Sequence, residues 1–183
     1  MSSITTQRKL FLHELGDILY VERKLADEVL PKLVKEVDDA ELRRGLEKHH
    51  TQTRRHVTNV EKAFRSLGET PQTERCIGFD GLKQEHESLT SEASPDLVDA
   101  VDAGAAARTE HYEIAAYQGL LAMARALGER EIVPLLDANL KQERQALREV
   151  EKVARRLARE QAKQSDGNGA ERSTTRRKAR SRR

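Results

Sequence analysis

Residues 103–128 read AGAAARTEHYEIAAYQGLLAMARALG. Small and apolar side chains recur through Ala103, Ala106, Tyr117, Leu120, Ala124 and Leu127, in steps of three and four or their sums, and the run stops at Gly128. This spacing is one face of an α-helix, and glycine just past the last apolar residue is where such a helix ends. Two acids, Glu110 and Glu113, stand on that same face. A carboxylate turned into a core costs several kcal/mol unless it is paired, hydrogen-bonded or bound to a metal. The stretch therefore predicts a helix that packs inward and carries chemistry at its middle.

Three more segments repeat the pattern. Helices are predicted over about Thr5–Val37, Ala40–Leu67, Pro95–Leu127 and Glu129–Ala162, each about 40–50 Å long at 1.5 Å per residue. The first stripe runs Phe11, Leu15, Ile18, Glu22, Leu25, Val29, Leu33, and Pro31 inside it is a place to kink or shorten the helix. Short turns at Asp38-Asp39 and at Gly128 make two antiparallel hairpins. Residues 68–94 form a longer connection with a short helix in FDGLKQEHESL, long enough to run the length of the bundle. The fold class is all-α: a four-helix bundle, two antiparallel hairpins joined by a long crossover with a short helix.

Composition agrees. The chain has 183 residues, 37% apolar and 35% charged, with three Phe, three Tyr and no Trp, which disfavours a sandwich or barrel of aromatic and β-branched strands. The longest weakly polar stretch, residues 114–124, is well short of the ~20 residues of a membrane span. No basic-then-apolar leader is seen at residues 1–10, and the single cysteine, Cys76, excludes an internal disulfide and suits a reducing compartment, so a cytoplasmic protein is expected. Residues 172–183 hold seven of the positive charges and no acid, so the net charge of +2 becomes 2 − 7 = −5 for the rest. The bundle is accordingly placed in residues 1–164 and a disordered basic tail in 165–183.

The polar interruptions of the four stripes are Glu22, then His49 and His56 with Gln52 and Thr53 between, then Glu110 and Glu113, then Asn139 and Glu143. Residues equidistant from a hairpin turn lie opposite each other. The midpoints of 22 with 52 and of 22 with 56 are 37 and 39, at the first turn, and the midpoint of 113 with 143 is 128, at the second. Both clusters lie some 15 or 16 residues, ~22–24 Å, from their turns, so they meet at mid-bundle. Alone, each such His or Glu reads as a partly exposed, hydrogen-bonded side chain. Together, four glutamates with neutral imidazoles match the charge of two divalent cations such as iron or manganese. His13, His50, His86 and His111 fall outside the stripes and read as surface residues, the tyrosines as packing residues with hydrogen-bonded hydroxyls, and Cys76 as a loop thiol without a partner.

At LFLHELGDILYVERKL, HHTQTRRHVTNVEKAF, CIGFDGL and above all EHYEIAAY, over about Thr5–Val153, the sequence resembles the YciE/YciF family of ferritin-like stress proteins. The resemblance implies a ferroxidase and a homodimer, and supports Glu22, Glu110, Glu113 and Glu143 as inward carboxylates. The usual di-iron pattern pairs a glutamate with a histidine three residues later on each of two helices. Neither polar seam has that pair here. Gln52 stands where a bridging glutamate would be expected, with His49 three residues before it and His56 four after, and a neutral amide is a weak ligand.

Three function classes follow. In the first, two Fe or Mn ions held by Glu22, Glu110, Glu113, Glu143, His56 and His49, with Gln52 as a weak ligand, react with peroxide or dioxygen, and Glu110 or Glu113 bridges the ions. In the second, the polar centre is only a hydrogen-bonded network in a non-enzymatic bundle. In the third, the basic tail adds a sequence-independent nucleic-acid contact, with no interleaved aromatic to stack on bases.

Overall fold

The computed structural model describes the backbone of residues 4–180 and the side chains of residues 4–163. All described regular structure is helical: α1 (Gln7–Lys24), a π-turn (Leu25–Val29), α2 (Leu30–Glu36), α3 (Ala40–Ser66), α4 (Ile77–Glu92), a 3-10 turn (Pro95–Leu97), α5 (Val98–Ala126) and α6 (Val133–Arg180). α1 packs on α3 and α5, and α6 closes the other side against the same two helices, while α4 lies outside against α5. This is the expected hairpin, crossover, hairpin bundle. α6 runs past the boundary placed at residue 164, and the side chains of the expected basic tail lie outside the described residues. No described helix is long and apolar enough to cross a membrane.

The turns follow from local chemistry. Asp39 caps α3, its carboxylate accepting from the Glu41 and Leu42 amides at 3.1 and 2.8 Å. α3 and α5 both end on a glycine at positive φ, Gly68 at 76° and Gly128 at 77°. In each the following amide reaches back to the helix, Glu69 to Phe64 and Glu129 to Ala124, as an αL glycine cap requires. Gly16 serves a different need: the crossover passes so close to α1 that an added Cβ would lie 3.2 Å from the Gln72 carbonyl and the Glu74 amide.

Pro31 neither breaks nor ends the first helix; the helical run is continuous from Gln7 to Glu36, and the proline is absorbed by the π-turn in front of it. The Leu30 amide bonds the Leu25 carbonyl, five residues back, so the Ala26 carbonyl loses its usual donor. The next amide in register would be that of residue 31, and proline has none. His50 Nε2 fills the gap from α3, 2.8 Å from the Ala26 oxygen. The ring therefore donates at Nε2, and His50 is a structural residue rather than the surface side chain expected. His50→Leu should orphan that carbonyl and cost roughly 1–3 kcal/mol, read as a lower urea midpoint with unchanged m-value.

The core lies in two apolar blocks. Phe11, Leu15, Val60, Phe64, Leu120 and Leu136 are fully or almost fully buried towards one end, and Leu33, Leu42, Leu46 and Val153 are buried towards the other. Between them every helix of the bundle contributes buried polar side chains.

Candidate metal centre

α1 brings Glu22, α3 brings His49 and His56, α5 brings Glu110 and Glu113, and α6 brings Glu143. All six are buried, and Glu22, His56, Glu113 and Glu143 have no exposed surface. Their ligating atoms fall into two groups: His49, Glu110, Glu113 and Glu143, and Glu22, His56 and Glu143, each within 4.8 Å. A first-row ion with ligands about 2.1 Å away spans about 4.2 Å between opposite ligands, so each group lies within about half an ångström of the size of one site. The two meet at Glu143, whose oxygens lie 2.7 Å from His56 Nδ1 and 3.8 Å from His49 Nε2. His49 Nε2 is 3.2 Å from Glu110, and His56 Nδ1 is 3.3 Å from Glu22.

The carboxylate common to both groups is Glu143 on α6, while Glu110 and Glu113 on α5 both stand in the first. Gln52 is half-buried beside His49 and lines a cavity that reaches the same level.

Whether the donors suit metal ions is decided by their unmet bonding. Glu22 Oε2, Glu110 Oε2, both Glu113 oxygens and both Glu143 oxygens are buried without a hydrogen bond. Native interiors rarely leave such groups unsatisfied, and six converging carboxylate oxygens ask for cations. The second indication is the His56 ring. Its Nε2 lies 2.8 Å from Gln142 Oε1, an acceptor, so the ring donates there and turns Nδ1 toward Glu22 and Glu143. Metal-binding imidazoles are fixed in this way by a second partner. The buried His/Glu cluster has the donors to hold a metal ion.

Around the donors stands a supporting layer. The Tyr117 hydroxyl donates to Glu22 Oε1, Asn139 Nδ2 donates to the Tyr117 hydroxyl at 2.9 Å, and Asn59 donates to Asn139 at 2.8 Å. Tyr117 and Asn139 were visible in the stripes, but Gln142 was not: it lies one residue outside its stripe, and no periodicity marks it. Other expectations fall on structural networks. His86 is bonded to the buried Asp102 at 2.6 Å, and Cys76 is a buried N-cap of α4, 2.8 Å from the Tyr112 hydroxyl, rather than a loop thiol without a partner.

The electrostatics are those of a centre short of positive charge. Burial first, then repulsion by Glu143, holds Glu110 and Glu113 well above the usual carboxylate range, and burial raises Glu22. Glu143 goes the other way: burial opposes ionisation, but the His56 imidazole facing it and the nearby His49 outweigh it. Burial opposes a proton on His56, yet the Glu22 and Glu143 carboxylates push it up to about 11. Burial lowers His49.

A family model described as "Domain of unknown function (DUF892)" matches residues 6–163. Protein YciF of Escherichia coli (strain K12) is 28% identical over 144 residues, 78% of this chain and 86% of that protein. Two solved structures superpose with a TM-score of 0.79. YcfI of Rhodopseudomonas palustris is 34% identical, over 81% of this chain and 95% of its own. The E. coli stress protein YciF is 25% identical, over 85% and 99%. With one family model spanning the whole bundle and the same helical fold in both relatives, the chain belongs to the DUF892 family, the YciE/YciF family that its motifs resemble.

Proposed function

We propose that this chain is a cytoplasmic di-metal carboxylate protein that holds two Fe(II) or Mn(II) ions and uses them to reduce peroxide or dioxygen in a stress response, the setting in which the E. coli relative is described. The observation that carries the proposal is the pair of buried donor groups joined at Glu143, with six carboxylate oxygens lacking hydrogen bonds. When bound, the two ions supply one electron each. Peroxide takes up two electrons and two protons and leaves as two waters.

The chain's own part is to hold and orient. Glu110, Glu113, Glu143 and His49 hold one ion, and Glu22, His56 and Glu143 hold the other. Gln142 aims the His56 ring. Tyr117 keeps its proton far above the usual phenol range, chiefly through burial and then the charge of Glu22, so it donates to Glu22 instead of ionising.

Anaerobic loading with Fe(II), followed by one equivalent of hydrogen peroxide, tests the reading. About two irons should be oxidised per peroxide, at least about tenfold faster than iron in buffer. Failure to retain iron, or a rate no faster than free iron, would leave a second reading: a bundle with a hydrogen-bonded polar core. The relative YcfI favours that alternative, since it is described provisionally as a structural protein.

A further inference from the structure

A cavity of about 410 Å³ opens between α3 and α6 and ends on the metal centre. Its inner end is formed by His49, Gln52 and Glu110. Leu42, Leu46, Val150 and Val153 make apolar walls, and Ala106 and Ala146 keep it wide. Hydrogen peroxide and dioxygen are each about the size of one or two waters, and a water's share of liquid volume is about 30 Å³. Neither explains a space of this size. Mostly apolar cavities of about 300–1,000 Å³ with few polar groups are the usual form of an organic ligand site.

Charge at the mouth narrows the ligand class. Lys48 is tied to Glu149 at 2.6 Å and Lys152 to Glu41 at 2.8 Å, so each carries its own counter-charge. Arg44 also lines the cavity, is exposed, and has no carboxylate partner among the described residues. Arg44 and Gln52 are eight residues apart on α3, about 12 Å along the helix. Between them lies Gly45, in a helix interior where glycine costs up to about 1 kcal/mol relative to alanine. A Cβ built on Gly45 meets nothing within 4 Å. The helix thus gives up a side chain where one would project into the cavity.

We propose that this cavity is the binding site of an amphipathic organic hydroperoxide with a carboxylate head, such as a medium-chain fatty-acid hydroperoxide. The carboxylate pairs with Arg44, the alkyl body lies over Gly45 along the apolar walls, and the hydroperoxide end reaches Gln52 and His49. Gln52 is then a substrate-positioning amide rather than a metal ligand, and its neutrality adds no repulsion. The chemical outcome rests on the redox reading above: the O–O bond breaks, two electrons from the two reduced ions and two protons enter, and the products are the alcohol and water.

Binding is tested without metal or turnover. Titration of the metal-free full-length chain with decanoate should give saturable binding. Gly45→Leu, which fills the cavity, and Arg44→Glu, which reverses the charge at its mouth, should each weaken binding about tenfold or more. Leucine is a better helix former than glycine, so Gly45→Leu should melt no lower than wild type, and Arg44 is exposed. A lack of saturation, or wild-type affinity in both variants, overturns the proposal.

A second arm separates the two readings. In iron-loaded protein, Gly45→Leu should lower the ratio of the oxidation rate with an organic hydroperoxide to that with hydrogen peroxide about tenfold. An unchanged ratio overturns the cavity assignment and leaves the redox reading standing. If neither oxidant acts while decanoate still binds, the redox reading falls and the ligand site remains.

Discussion

Replacing Glu143 with alanine should empty both halves of the metal centre at once. Wild-type protein purified without chelator is expected to hold about two ions per chain, the Glu143→Ala variant about none, and Glu22→Ala about one. The difference follows from the sharing of one carboxylate. Glu143 belongs to both donor groups, whereas Glu22 belongs to only one, and its loss leaves His49, Glu110, Glu113 and Glu143 complete. Elemental analysis reads the result directly. Glu143→Gln, which keeps the shape and removes the charge, distinguishes lost ligation from lost packing, because it should lose metal while retaining the helical spectrum. An equal loss in Glu22→Ala and Glu143→Ala would show that the two groups are not separate sites.

Metal removal should lower thermal stability by an amount that grows with pH. In the metal-free protein Glu22, Glu110 and Glu113 have raised pKa values, so above their ordinary 4.5 the folded chain holds protons that the unfolded chain releases. Stability then falls as pH rises through that window. His56 adds to the fall from its ordinary 6.5 up to about 11, and His49, lowered by burial, opposes it below 6.5. Glu143, lowered, contributes only below 4.5. Metal binding displaces these protons, so affinity rises as pH rises. At a metal concentration about 1,000 times Kd each ion adds about 4 kcal/mol, or about 8–16 °C for a domain of this size. Calorimetry with Mn(II) and with chelator should show a gap that is small at about pH 5 and widest at about pH 8. A gap independent of pH would exclude Glu110 and Glu113 as ligands.

Much of the centre was legible because helices are regular. A stripe in steps of three and four shows which residues face inward, and counting from a hairpin turn shows their height, so Glu22 and His56 on one hairpin and Glu113 and Glu143 on the other could be matched on paper. The same regularity hides what lies beside the stripe. Gln142 looks like any exposed polar residue until α3 approaches it. His50 acquires its role only because Pro31, nineteen residues earlier, leaves a carbonyl without a donor.

By itself, the sequence determined the number of helices, their turns at Asp39, Gly68 and Gly128, and the level at which acidic and imidazole side chains are buried. These are properties of backbone periodicity and of glycine's access to positive φ, and they need no knowledge of neighbours. Only the tertiary structure decided that Glu143 is the common carboxylate, that Gln52 faces a cavity, and that Gln142 orients His56. These depend on how far each helix is rotated about its axis and which rotamers its neighbours allow, and a shift of a few ångströms between packed helices changes them without altering a single residue of the pattern.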